Sequence, residues 1–320
     1  MNTRRLITVR VHEKRVEAEN IYVFDLRPSE GTALPSFAAG AHIEILMKVG
    51  LERSYSLVNA LDETNRYVIA VARDPASRGG SAFLCDTVMP GHELQITRPS
   101  NNFALEEGVR NTVLLAGGIG ITPIWSMLQR LEQINGRWKL FYTARTRRRA
   151  AFLGELLALQ SQYSDRVHIV FDHEPNAKGL SLESIVLGEP VGTHFYACGP
   201  TGLLTAFETA TSGLNPATIH IERFSPAQAQ AQGGFEVTLV KSQRSFFIPA
   251  DKTIMEVLLS EGVDANRSCM IGVCGTCETP VLEGIPDHRD SVLSKRERDA
   301  NNTMIICCSG SKGGKLVLDM

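Results

Sequence analysis

Nowhere in the 320 residues does an apolar run approach the length of a membrane span, which removes a helical membrane protein from consideration. Charge of one sign is lacking too. The 33 Lys and Arg nearly balance the 35 Asp and Glu, and a formal net charge of -2 excludes a polycation built to bind nucleic acid. The opening residues Met1-Asn2-Thr3-Arg4-Arg5 have none of the apolar stretch of a secretion signal, so a cytoplasmic location is expected. No internal repeat recurs at solenoid or propeller periods. Cysteine is sparse, seven in all, and in a reducing compartment such residues favour metal ligation or redox chemistry over disulfides. What is present is 43% hydrophobic and 21% charged, over a length too great for one ordinary core. That describes a soluble globular chain of two or three domains.

Four of the seven cysteines carry the strongest signal. Cys269, Cys274 and Cys277, followed after a long gap by Cys307, stand in the order C-x4-C-x2-C and C, the plant-type [2Fe-2S] spacing. A loop this short must wrap three thiolates around one small cluster. Gly272 and Gly275 let its backbone turn tightly with N–H groups aimed at sulfur. A zinc site is the alternative, but zinc knuckles pair C-x2-C motifs on two halves, whereas here three ligands share one loop and one lies far away. A disulfide framework fits less well still. Cys308 competes with its neighbour Cys307 for the fourth position, and Cys85 reads as a small buried residue.

Three segments follow one another. The first hundred residues hold strand-like runs at Ile7 to Val16, Ile21 to Leu26, His42 to Met47, Ser54 to Val58, Tyr67 to Ala72 and Glu93 to Thr97, separated by Gly, Pro and Asp, which predicts an antiparallel barrel. The middle segment alternates. Strands at Asn111 to Ala116, Lys139 to Ala144, Val167 to Phe171 and His194 to Cys198 are interleaved with helical spacing after Pro123, around Phe152 to Leu159 and around Leu203 to Ala210, the pattern of a doubly wound α/β domain. A low-complexity stretch, Ala227-Gln228-Ala229-Gln230-Ala231-Gln232-Gly233-Gly234, reads as a linker. Beyond it come two strands, Phe235 to Val240 and Ser245 to Pro249, then a helix announced by the capping box of Thr253 and Glu256, then the cysteine loop. That is the order of a β-grasp ferredoxin.

A one-electron cluster cannot take a hydride, and a nicotinamide does not readily release single electrons. A dinucleotide site and a cluster in one chain therefore call for a flavin between them. Arg53-Ser54-Tyr55-Ser56 supplies a cation, an aromatic face and hydroxyls suited to a phosphate and an isoalloxazine ring, although taken alone it also suits an ordinary strand. Arg78-Gly79-Gly80-Ser81 precedes a helix expected over Ala82 to Val88, whose first N–H groups would cradle a phosphate. Gly118-Ile119-Gly120-Ile121-Thr122-Pro123 is a glycine turn from strand to helix. Its Pro sits in the first helical turn, where its missing N–H would have had no partner. Cys198-Gly199-Pro200 ends another strand of the same segment, where parallel sheets form their ligand crevice. Its thiol borders a nicotinamide there or is a small core residue.

Together these motifs, in this order, resemble the phthalate dioxygenase reductase family, a branch of the ferredoxin–NADP reductase-like flavoproteins. The resemblance covers essentially the whole chain, down to the tail Leu316-Val317-Leu318-Asp319. It implies a multidomain fold: an antiparallel β-barrel binding FMN over 1–104, a doubly wound α/β domain binding NAD over 105–226, a linker over 227–234, and a β-grasp [2Fe-2S] ferredoxin over 235–320. It further implies that electrons run from NADH to FMN to the [2Fe-2S] cluster and on to a Rieske-type oxygenase. Carried over by position, Arg53, Ser54, Tyr55 and Ser56 hold the flavin, with Ala70 and Ala72 completing that set, and Arg78, Gly79, Gly80 and Ser81 hold its phosphate. Gly118, Gly120, Pro123, Gly199 and Pro200 belong to the nicotinamide and pyrophosphate site. Thr122, Cys198 and Phe224 are placed at the reacting rings, with simple core packing as the alternative for Phe224. Asp172 at a strand end is matched to the adenosine ribose, which favours NADH because a carboxylate repels a 2′-phosphate. Arg147, Arg148 and Arg149 argue for the phosphate unless they form a solvated face. Cys269, Cys274, Cys277 and Cys307 are the cluster ligands. The family's usual Val-Ser-Arg-Ala-like continuation is replaced here by Cys308-Ser309-Gly310-Ser311.

No acid–base triad is required by this scheme, and His288, in Asp287-His288-Arg289-Asp290, reads as a structural or docking residue. Two rivals remain open: an electron-transfer subunit serving a monooxygenase or demethylase, and a redox-sensing iron–sulfur flavoprotein without turnover. The intact glycine turns count against the second.

Overall fold

The computed structural model describes residues 6–29, 33–48, 51–77, 79–175, 179–225 and 228–320. By backbone packing the chain falls into two units, Met1–Met47 with Ser54–Phe224, and Lys48–Arg53 with Ser225–Met320.

Residues 7–96 carry six antiparallel strands, β1 (Ile7–Ala18), β2 (Ile21–Pro28), β3 (His42–Lys48), β4 (Leu51–Ser56), β5 (Tyr67–Ala72) and β6 (Glu93–Ile96), in the order β4-β3-β6-β1-β2-β5, all of the first unit except Lys48 and Leu51–Arg53. A bridge from Leu57 to Ile69 joins the continuation of β4 to β5, so the ladder closes into a barrel. Alternation along the strands turns Phe24, Leu26, Ile43, Ile45, Ile69 and Ile96 into its interior. β4 begins at Leu51, three residues ahead of the strand expected from Ser54, because pairing with β3 recruits residues that have no strand pattern of their own. The helix expected over Ala82 to Val88 is split, a short α1 (Gly80–Ala82) running into a π-turn at Phe83–Thr87. Burial explains the wider turn: Leu84 and Val88 enter the barrel core, and Lys14 Nζ caps the freed carbonyls of Cys85 and Val88 at 2.7 and 2.9 Å.

The parallel sheet of the same unit is built from β7 (Thr112–Gly117), β8 (Trp138–Ala144), β9 (Val167–Phe171), β10 (His194–Cys198) and β11 (Ile219–Glu222), with α2 (Ile121–Gln133), α3 (Leu153–Gln162), α4 (Leu182–Leu187) and α5 (Thr201–Thr211) as crossovers. Its order is β11-β10-β7-β8-β9. The chain winds outward from β7 in both directions, which makes the gap between β7 and β10 the topological switch point. Both faces are covered. Leu114, Leu140 and Tyr142 pack with Met127, Leu128 and Leu156, while Val113, Leu115 and Phe195 pack with Val186, Leu204 and Phe207.

The second unit carries a mixed sheet of β12 (Phe235–Leu239), β13 (Arg244–Ile248), β14 (Glu278–Glu283), β16 (Thr303–Ile305) and β18 (Lys315–Leu318), in the order β13-β12-β18-β14-β16, with β15 (Pro286–Asp287) paired to β17 (Gly310–Ser311) beside it. α6 (Ile254–Ser260) packs on this sheet through Ile254, Met255 and Leu258, and the expected capping box is formed: Glu256 N–H donates to Thr253 Oγ1, and Thr253 N–H to Glu256 Oε2. α7 (Lys295–Ala300) repeats the device with Ser294 and Glu297. Residues 231–234 are bonded into this unit, Ala231 N–H to Cys308 O and Gly234 N–H to Ile248 O.

Candidate functional site

At the carboxyl ends of β7 and β10 two glycine turns meet backbone to backbone. Gly118 adopts φ +55 and Gly120 leads into α2. A Cβ on Gly120 would stand 2.3 Å from Cys198 O, and one on Gly199 would stand 3.0 Å from Gly117 N. No side chain fits between these turns, so both strand ends present bare backbone at the switch point, the arrangement that admits a pyrophosphate closely. Pro123 occupies the first turn of α2. Thr122 is buried beneath it, its hydroxyl donating to Ile119 O at 3.0 Å.

Cys198 is fully enclosed, and burial, aided by the neighbouring Glu222, pushes its thiol well above the ordinary range, so it stays protonated. Register sets these two side by side, Cys198 opposite Glu222 on β11. Burial lifts the Glu222 carboxyl to about 8, and its Oε2 has no partner among the described residues. Sequence reasoning missed Glu222. Its only signal was a position two residues ahead of Phe224. Phe224 itself is 38% exposed rather than packed in the core, and it follows directly on the end of β11.

Asp172 follows β9, and Thr143 Oγ1 donates to both of its oxygens at 2.9 and 2.8 Å. Of the basic cluster, Arg147 lies over the Phe171 ring and pairs with Glu174, and Arg149 pairs with Glu19 at 2.8 Å.

Within the barrel, Arg53, Ser54, Tyr55 and Ser56 lie on β4, Ala70 and Ala72 on β5 opposite Val23 and Ile21. The Ser54 hydroxyl is buried and has no partner among the described residues. A buried hydroxyl without a partner fits a site whose polar ligand completes it, which is the fit a flavin requires. Gly79 takes φ +104 ahead of Gly80, and Ser81 Oγ accepts the Asp74 N–H. Arg78 lies outside the described residues.

In the second unit the four motif cysteines are neighbours. The Cys269 sulfur hydrogen-bonds with those of Cys274 and Cys307, and Cys307 also meets Cys277. These bonds favour the thiolate at Cys269 and Cys277 and the thiol at Cys274 and Cys307, the mutual influence expected of four sulfurs held close together. Val273 N–H points at Cys269 Sγ at 3.4 Å. Three thiols from one loop and a fourth from far along the chain are the donor set of a plant-type two-iron cluster. Cys308 lies beside this set: its sulfur hydrogen-bonds with that of Cys307 and is 2.3 Å from where a Gly272 Cβ would be, and Gly272 takes φ +76.

Comparison with known proteins follows the same layout. A model of an oxidoreductase NAD-binding domain matches residues 114–209, and one of a 2Fe-2S iron-sulfur cluster binding domain matches residues 237–311. The solved structure of a phthalate dioxygenase reductase, described as modular for electron transfer from pyridine nucleotides to [2Fe-2S], superposes with a TM-score of 0.80 at 35% identity, covering 98% of each chain. The chain belongs to the phthalate dioxygenase reductase family. Among its relatives, a phenoxybenzoate dioxygenase subunit beta of Ectopseudomonas oleovorans is 49% identical over 98% of this chain and 97% of its own. A tetrachlorobenzoquinone reductase of Sphingobium chlorophenolicum is 45% identical over 95% of this chain and 94% of its own. This member of the phthalate dioxygenase reductase family is thus an oxidoreductase with barrel, NAD-binding and ferredoxin modules, as the sequence motifs led one to expect. No helix among the described residues is long and apolar enough to cross a membrane.

Proposed function

We propose that the chain is the NADH-dependent reductase of an oxygenase system, passing electrons through FMN and its [2Fe-2S] cluster to a Rieske-type terminal oxygenase that hydroxylates or demethylates its substrate. The observation that carries this reading is the convergence of four thiols in a chain that also holds paired glycine turns at a parallel switch point. A bound flavin supplies the conversion of a two-electron hydride into single electrons. The chain's own residues supply position. Arg53, Ser54, Tyr55, Ser56, Ala70 and Ala72 hold the ring system, and Arg78, Gly79, Gly80 and Ser81 take its phosphate. Gly118, Gly120, Pro123, Gly199 and Pro200 leave room for the nicotinamide and pyrophosphate, Thr122 and Cys198 form the floor, and exposed Phe224 covers the flavin. Asp172 receives the ribose hydroxyls, and NADH is the donor because Arg147 and Arg149 are already engaged in ion pairs. Cys269, Cys274, Cys277 and Cys307 hold the cluster.

The same proposal assigns FMN to residues 1–104, NAD to 105–226 and the cluster to 235–320, with 227–234 as the connection. It places the protein in the cytoplasm, where seven unpaired cysteines stay reduced. A second reading takes a quinone as the acceptor, because one relative, 45% identical, is named a tetrachlorobenzoquinone reductase. Rapid mixing of the purified holoprotein with NADH should bleach flavin and cluster absorbance in succession, and a protein that fails to bleach refutes the reductase reading. Turnover with a chlorinated quinone, but with no Rieske protein, selects the second acceptor.

A further inference from the structure

The segment between β15 and α7 crosses the cysteine loop. Ser291 N–H donates to Gly272 O at 2.9 Å, a Gly272 Cβ would lie 3.3 Å from Asp290 Cα, and a Gly275 Cβ would lie 3.2 Å from Val292 Cγ1. Asp290 is 1% exposed. Its Oδ2 accepts the N–H groups of Val292 and Leu293 at 3.0 and 2.8 Å, which curls the segment onto the loop. Arg298 reaches back from α7, donating to Asp290 O at 2.8 Å and standing 3.5 Å from Oδ2. Oδ1 has no partner among the described residues, and His288 Nδ1 stands 3.9 Å from it. A carboxylate this buried is costly to keep ionised and is retained only with compensation, which Arg298 supplies in part.

We propose that Asp290 and Arg298 act as a charge pair that sets the reduction potential of the cluster, Asp290 serving as a positioning residue that also pins the cysteine loop. The proposal rests on the cluster assignment made above. Reduction adds one electron, and with it one negative charge, to the space beneath this loop. A carboxylate there opposes that charge and a guanidinium favours it. The Asp290 side chain is 0% exposed and that of Arg298 is 33% exposed, so water screens the cation more than the anion. The pair therefore depresses the potential on balance, which suits a carrier that must give its electron away.

Redox titration of the full holoprotein, followed by the cluster's EPR signal, tests this. Asp290→Asn keeps an acceptor oxygen for Val292 and Leu293 but removes the charge. The midpoint should rise until the reduced-to-oxidised ratio at fixed potential is about tenfold higher, equivalent to about 59 mV for one electron. Arg298→Gln should move it the other way, by less. Two variants shifting in the same direction, or neither shifting while the signal is intact, overturn the proposal. If Asp290→Asn sheds its cluster, Arg298→Gln decides alone, and an unchanged or raised midpoint is then fatal. Unmodified protein without a [2Fe-2S] signal would instead defeat the cluster assignment.

Discussion

Glu222 joins a raised proton affinity to a fold position that only strand register reveals, and its replacement by Gln isolates that affinity. In the unfolded chain this carboxyl ionises near 4.5, and in the folded chain near 8. Between those values the folded state holds a proton that the unfolded state has lost, so stability falls as pH rises. Below 4.5 both states are protonated and the contribution is fully present. Above 8 it is gone. The slope is about 1.4 kcal/mol per pH unit, and across the whole window the loss approaches about 5 kcal/mol. Glu222→Gln keeps the shape and never ionises. The variant's stability relative to the wild type should therefore rise progressively from pH 5 up to pH 8. For a unit of this size, each pH unit should widen the gap in Tm by about 3 to 5 °C. Calorimetric scans of both proteins from pH 5 to 9 measure it. A difference that stays flat, or that narrows with rising pH, refutes the raised proton affinity of the Glu222 carboxyl beside Cys198.

Cys307→Ser should abolish the visible and EPR signals of the cluster and Cys308→Ser should leave them, since it is the Cys307 sulfur that hydrogen-bonds with those of Cys269 and Cys277; the opposite pair of results would exchange the ligand. Gly120→Ala puts a methyl 2.3 Å from Cys198 O, with a cost of about 1 to 3 kcal/mol as the two turns are forced apart. Its Tm should drop and its flavin bleaching by NADH should slow, whereas unchanged values would mean that the turns are not as close as described.

Much of this architecture could be read from local pattern. The apolar run at Asn111 to Ala116 and the helical spacing after Pro123 needed no partner to be legible, because a strand buried on both faces is written as an unbroken apolar run and an amphipathic helix as its own period. Thr253 and Glu256 announced α6 through bonds between side chain and backbone three residues apart. β11, β14, β16 and β18 were silent. Each is short, and its strand character comes from a neighbour distant in sequence, as when Lys315–Leu318 lies along Glu236–Leu239. Spacing and position selected Cys307 with Cys308 as its competitor, and only the folded chain shows which thiols the Cys307 sulfur meets, those of Cys269, Cys277 and Cys308. Glu222 was invisible because a buried carboxyl oxygen such as its Oε2 is defined by what surrounds it, not by its neighbours in the chain.

The position of β18 bears on how the metal centre is made. This strand lies in the middle of its sheet, parallel to β12 and antiparallel to β14, yet it follows all four ligand cysteines in order of synthesis. The sheet that carries the thiols therefore cannot close until β18 has docked between β12 and β14. A ligand loop earlier in the sequence thus depends for its platform on the strand that comes last, and loss of β18 would cost the metal centre although no ligand is touched.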